Sequence, residues 1–89
     1  MLKEKMNKYK QNVYVVFDGY KRTLYSYNTP IIIIDDLGNI LKVYKDYNYS
    51  VTTVKHMNYF LQEFNAKVKN RIELEKLANF KELLMKEVY

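Results

Sequence analysis

The chain's single histidine, His56, follows closely on Ser50, Thr52 and Thr53. A hydroxyl near an imidazole is the beginning of a nucleophile-and-base pair, because the ring can take the hydroxyl proton during attack. Acyl transfer also needs an acid that orients the imidazole and donors that hold an oxyanion. No nucleophile elbow or glycine-rich turn accompanies these hydroxyls to supply them. His56 is therefore expected to be a structural boundary residue, bonded to a threonine hydroxyl or a loop carbonyl. Asp35 and Asp36 are the other pair with chemical potential. They sit in Asp35-Asp36-Leu37-Gly38-Asn39, where aspartates stabilise a turn, and one histidine with scattered acids does not make a metal centre. The chain has no cysteine, which removes thiolate ligands and thiol nucleophiles, and it has no phosphate loop or dinucleotide fingerprint. The expectation is a protein that binds rather than catalyses, with no catalytic residue, cofactor or metal.

The element that must position His56 is an amphipathic helix. Val54, Met57, Phe60, Leu61 and Phe64 recur three and four residues apart, one face of a 3.6-residue period. Lys55, Asn58, Tyr59 and Gln62 fall on the other side or its flanks. Ser50, Thr52 and Thr53 can all accept a bond from a free first-turn amide, and Thr52 or Thr53 is the expected cap.

Ahead of this helix the pattern is that of strands. Residues 1–11 are polar and lysine-rich and read as a frayed lead-in or a short helix outside the core. The run from Asn12 to Phe17 is β-branched and aromatic, Asp18-Gly19 signals a tight hairpin, and Lys21 to Asn28 returns with period-two alternation. Thr29-Pro30 marks a strand start, followed by Ile31, Ile32, Ile33 and Ile34 without interruption; Ile40 to Tyr44 makes a fourth strand. Alternation predicts that two of the four isoleucines leave the core side. After Phe64, Asn70 with Glu73 and Asn79 with Glu82 have capping-box spacing, and Ile72, Leu74, Leu77, Phe80, Leu84 and Val88 suggest a core-facing stripe. One helix with a weak point near Asn79 and two short helices both fit; a break is preferred. The predicted fold is α+β: a four-stranded antiparallel meander over residues 12–45, then two or three C-terminal helices over 52–89 packed on one face, all in one domain spanning 1–89.

Helices on one face leave the other to Tyr14 and Val16, joined by Tyr25, Tyr27 or Tyr44. Tyrosine suits a surface that is sometimes wet and sometimes buried. The formal charge is +5, with Lys3, Lys5, Lys8 and Lys10 near the start and Lys67, Lys69 and Arg71 clustered later. A basic protein of this kind fits an acidic protein surface or a nucleic acid. Candidate partner contacts are Tyr14, Tyr25, Tyr27, Tyr44, Tyr59, Lys21, Arg22 and Lys42. A host or phage protein is the first expected partner, with nucleic acid bound by a tyrosine-rich sheet face as the alternative and a homodimer as the third. No apolar run approaches the roughly 20 residues that cross a bilayer. With no cysteine and no hydrophobic leader, the chain is expected in the cytoplasm.

The pattern Tyr49-Ser50-x-Thr52-Thr53-x-x-His56-x-x-x-Phe60-Leu61, preceded by Tyr25-Ser26-Tyr27-x-Thr29, resembles a group of small uncharacterised proteins. These are encoded by phages and mobile elements of AT-rich, largely Gram-positive bacteria. The likeness covers residues 12–64. It implies a phage accessory protein in the cytoplasm of an infected or lysogenic host. By analogy it implies an anti-CRISPR-like inhibitor that occupies a defence complex.

Overall fold

The structure is a computed structural model that describes residues 2–4, 6 and 12–87. Its order is β1 (Leu2–Glu4), β2 (Val13–Phe17), β3 (Lys21–Ser26), β4 (Thr29–Asp35), β5 (Ile40–Val43), a 3-10 turn (Lys45–Asn48), α1 (Val51–Glu63), α2 (Arg71–Glu75) and α3 (Phe80–Met85). The five strands form one antiparallel sheet in sequence order, a meander of short connections. The architecture is α+β with the helices C-terminal to the sheet, as expected.

The strand count is five, because the start of the chain is no mere lead-in. Leu2, Lys3 and Glu4 pair with Phe17, Val16 and Val15 along the outer edge of β2, and Met6 is buried in the core. A three-residue strand is too short to display an alternation, so composition alone hid it. The other lead-in positions lie outside the described residues.

One face of the sheet carries Val13 and Val15 of β2, Leu24 of β3, Ile32 and Ile34 of β4 and Val43 of β5, and it packs on Met57, Phe60 and Leu61 of α1. The isoleucine run departs from simple alternation. A bulge opposite Leu24 and Tyr25 leaves Ile31 as an extra residue, so Ile31 joins Ile32 and Ile34 in the core cluster. Only Ile33 lies on the far face, and it is 2% exposed. The expectation of two outward isoleucines is thus corrected to one, and that one is covered. Its opposite neighbours are Thr23 and Lys42, and the Lys42 ammonium reaches the Leu84 carbonyl of α3 at 2.7 Å. The methylene stem of a lysine held this way covers apolar surface while its charge is bonded.

Local chemistry explains where the elements stop. Asp18 accepts from the amides of Tyr20 and Lys21 in the first hairpin, where Gly19 has a φ of +106°. Asp35 accepts from Leu37 and Asn39 in the β4–β5 turn. The cap of α1 is Ser50, whose Oγ accepts from the Thr53 amide at 3.1 Å; Thr52 and Thr53 are not the cap. Asn65 takes a positive φ of 54°, and Ala66 N donates to Leu61 O, closing α1 with a left-handed residue. Asn70 caps α2 through the Glu73 amide, whereas Asn79 makes no side-chain cap bond to α3. The C-terminal segment does break into two helices. Within it Leu74 and Leu83 are buried, while Ile72 is exposed rather than core-facing. Val88 lies outside the described residues.

Candidate functional site

The far face of the sheet is built by alternation. Pairing places Lys3, Val16, Thr23, Ile33 and Lys42 in one row across all five strands. Tyr14 and Tyr25 are directly opposed in the next row, and Tyr44 stands two residues beyond Lys42 on the same face. The Tyr14 and Tyr25 rings stack nearly parallel, 4.9 Å between centroids at 8°. Lys3 Nζ sits 4.3 Å from the Tyr14 centroid, and β1 and β3 flank β2 on opposite sides. At the other end Lys42 Nζ lies 5.4 Å from the Tyr44 centroid. Burial, and secondarily the neighbouring Tyr25 phenol, hold the Tyr44 hydroxyl above its ordinary pKa. The result is a file of half-buried tyrosines with a lysine at each end.

This geometry decides what the rings can offer. A platform for bases needs an aromatic face turned to solvent. Here Tyr25 and Lys3 occupy the two sides of Tyr14, so the ring presents its edge and hydroxyl.

A second polar cluster joins α1 to β3. Ser26 Oγ lies 2.9 Å from His56 Nδ1, with His56 3% and Ser26 2% exposed. Burial depresses the His56 pKa, so the ring is neutral at pH 7. The hydroxyl–imidazole contact resembles the first two members of an acyl-transfer triad, yet the serine is withdrawn from solvent and ties helix to sheet. The Tyr27 ring stands 6.1 Å from that of His56.

A family model described as a family of unknown function (DUF8033) matches residues 1–76. The chain belongs to the DUF8033 family. No curated protein and no solved structure matches it. The matched DUF8033 region contains the whole sheet, α1 and α2; α3, which receives the Lys42 bond, follows it.

Of the residues singled out in the sequence of this DUF8033 protein, Tyr14, Tyr25, Tyr44 and Lys42 share the far face. Lys21 is on that face at its end, paired across to Asp35 and in an ion pair with Asp18. Three others are elsewhere. Tyr27 leaves the strand at a φ of +53° and turns to His56. Arg22 points to the α1 side, between the Phe17 and Phe64 rings and bonded to Glu4. Tyr59 donates to Glu63 along α1. In the predicted helix-start motif, Ser50 and Thr53 share a hydrogen bond and His56 reaches Ser26, while Tyr49 and Thr52 are exposed. Sequence reasoning missed Lys3, which became legible only once β1 was known. It also missed the role of Ser26, although Ser26 lies inside the Tyr25-Ser26-Tyr27 motif.

Proposed function

We propose that this protein is a non-enzymatic binding protein and that it engages a protein partner through the face bearing Lys3, Tyr14, Tyr25, Tyr44 and Lys42. The single observation that carries this reading is the parallel Tyr14–Tyr25 stack closed on its outer side by Lys3. Edge-on tyrosines favour the mixed apolar and hydroxyl contacts of protein interfaces over base stacking. Lys3 at the open end matches a partner whose surface is acidic, while Lys42 at the other end is buried with its ammonium bonded to Leu84. The finer reading, carried by the likeness to phage accessory proteins, is that the partner belongs to a host defence complex and is blocked by occupation.

The test is a plating assay in a host whose defence system targets the infecting phage. Expression of the wild-type chain raises plating efficiency, and a Tyr14→Ser/Tyr25→Ser variant that retains its fold by circular dichroism does not. Unchanged plating with the wild type defeats the inhibitor reading. Fluorescence anisotropy with oligonucleotides addresses the alternative partner. Tight binding that falls with salt by about 0.7 to 0.9 log units per log unit and neutralised phosphate, and that needs both tyrosines, would replace the protein partner by nucleic acid.

A further inference from the structure

A cleft of about 260 Å³ opens on the α1 side of the fold, where the β3–β4 turn meets the 3-10 turn and the start of α1. From its lining and chemistry we infer that this cleft binds a guanidinium group, held by the Asp46 carboxylate and the rings of Tyr27 and Tyr49. The inference does not depend on the sheet-face reading.

Asp46 is the only charged side chain among the described lining residues. No hydrogen bond or ion pair engages its carboxylate among the described residues. The Tyr49 amide donates to the Asp46 carbonyl at 3.1 Å, and residues three apart in a 3-10 turn eclipse, so ring and carboxylate rise on one side. Tyr49 is 79% exposed and Tyr27 is also well exposed, and both line the cleft.

A guanidinium is planar, permanently charged and weakly hydrated. It forks onto a carboxylate with two parallel bonds and lies flat on an aromatic ring. An ammonium has no planar face to stack. A remaining N–H group of the ligand meets the hydroxyl oxygen of Thr29, which lines the same cleft and is part-exposed, whereas Ser26 and Thr53 are buried beneath it. Ile31 supplies apolar surface for a methylene stem. An anion is disfavoured, because Asp46 repels it and Ser50 already takes the Thr53 amide. The volume falls below the roughly 300–1,000 Å³ of clefts for drug-sized ligands, which suits a single side chain or a small amine.

The same chemistry is carried by a free guanidino compound and by an arginine side chain of a peptide. Amide chemical shifts of the full chain, titrated with agmatine, with N-acetyl-arginine methylamide and with the uncharged N-acetyl-citrulline methylamide, separate these sources. The expected result is saturable shifts confined to residues 26–31 and 45–53 with agmatine, the arginine derivative or both. Binding of agmatine alone identifies a free ligand, and binding of the arginine derivative identifies a peptide one. Affinity is expected to fall at least tenfold for the citrulline derivative and for Asp46→Asn, and severalfold for Tyr49→Ala. Tyr49 is exposed, so its variant keeps the fold and serves if Asp46→Asn does not. Scattered or non-saturating shifts with both charged ligands, equal binding of the citrulline derivative, or full affinity in a folded Asp46→Asn variant would overturn the assignment.

Discussion

Ser26 Oγ and His56 Nδ1 stand 2.9 Å apart, and that contact fastens the first turns of α1 to the last residue of β3. Both side chains are buried, so neither can turn to water instead if its partner is lost. A buried polar group without a partner costs about 1–3 kcal/mol, more than a satisfied pair contributes. Ser26→Ala is expected to destabilise the fold within that range, read as a lowered urea midpoint.

Acid should weaken the same joint. Burial holds the folded pKa of His56 below the ordinary imidazole value of 6.5. The unfolded chain therefore binds the imidazole proton first as pH falls. The contribution of the neutral ring is complete above about pH 6.5, declines as pH drops toward the folded pKa, and levels off below it. Urea titrations at closely spaced pH values should show this slope in the wild type and its disappearance in His56→Gln. An unchanged slope in the variant would assign it to other groups.

Alkali acts at a different point. Tyr47 is buried, donates to Glu75 and has its pKa pushed up to about 12, chiefly by burial and then by that carboxylate. The unfolded tyrosine ionises near 10, so stability is complete below pH 10 and is lost as pH rises through the folded value. Ultraviolet titration should show Tyr47 and Tyr44 ionising later than the unshifted tyrosines, and Tyr47→Phe should remove the component near 12. The same substitution leaves Glu75 with Arg71 as its hydrogen-bond partner among the described residues.

The cap of α1 offers a quantitative check. Ser50→Ala is expected to cost about 1 kcal/mol, whereas Thr52→Ala, at an exposed position, should fall within about 0.5 kcal/mol of the wild type. Chemical denaturation of the two variants gives the ordering. A larger loss at Thr52 would restore the threonine cap that the sequence first suggested.

Gly38 should tolerate no side chain. Its φ is +84°, and a Cβ would stand 2.7 Å from the Asn65 carbonyl oxygen and 3.0 Å from Ala66 Cα. Backbone strain alone costs about 1–3 kcal/mol for a residue outside its favoured region. The displaced Asn65–Lys67 segment adds to it, since Lys67 N donates to Gly38 O at 2.9 Å. Gly19 also has a positive φ but nothing within 4 Å of a built Cβ. Gly38→Ala should therefore lower the thermal midpoint more than Gly19→Ala.

What the sequence disclosed follows from how local each signal is. The strands from Val13 to Val43 and the helix from Val51 to Glu63 carry their own periodicity, and Asp18-Gly19 and Asn70 carry their own turn and cap chemistry. The errors arise where distant residues decide. Nothing near Leu2 announces that it will pair with Phe17. The bulge at Ile31 depends on how β3 and β4 come into register, and the same run of isoleucines would alternate without it. Tyr14, Tyr25 and Tyr44 could be gathered on one face from alternation alone. Their stacking, and the partnership of His56 with Ser26 thirty residues earlier, needed the assembled sheet.

The three residues of β1 also guard the protein against itself. Inside them lies Val13-Tyr14-Val15-Val16-Phe17, an uncharged, β-branched and aromatic strand of the type that assembles into fibrils when its edge is bare. By pairing with it, Leu2, Lys3 and Glu4 exchange that edge for a short one bearing both a positive and a negative charge, which a second copy extends poorly. The opposite margin, β5, is flanked by α3. Resistance to self-assembly thus rests on a handful of residues at one border of the sheet, and one of them, Lys3, also closes the outer side of the tyrosine stack.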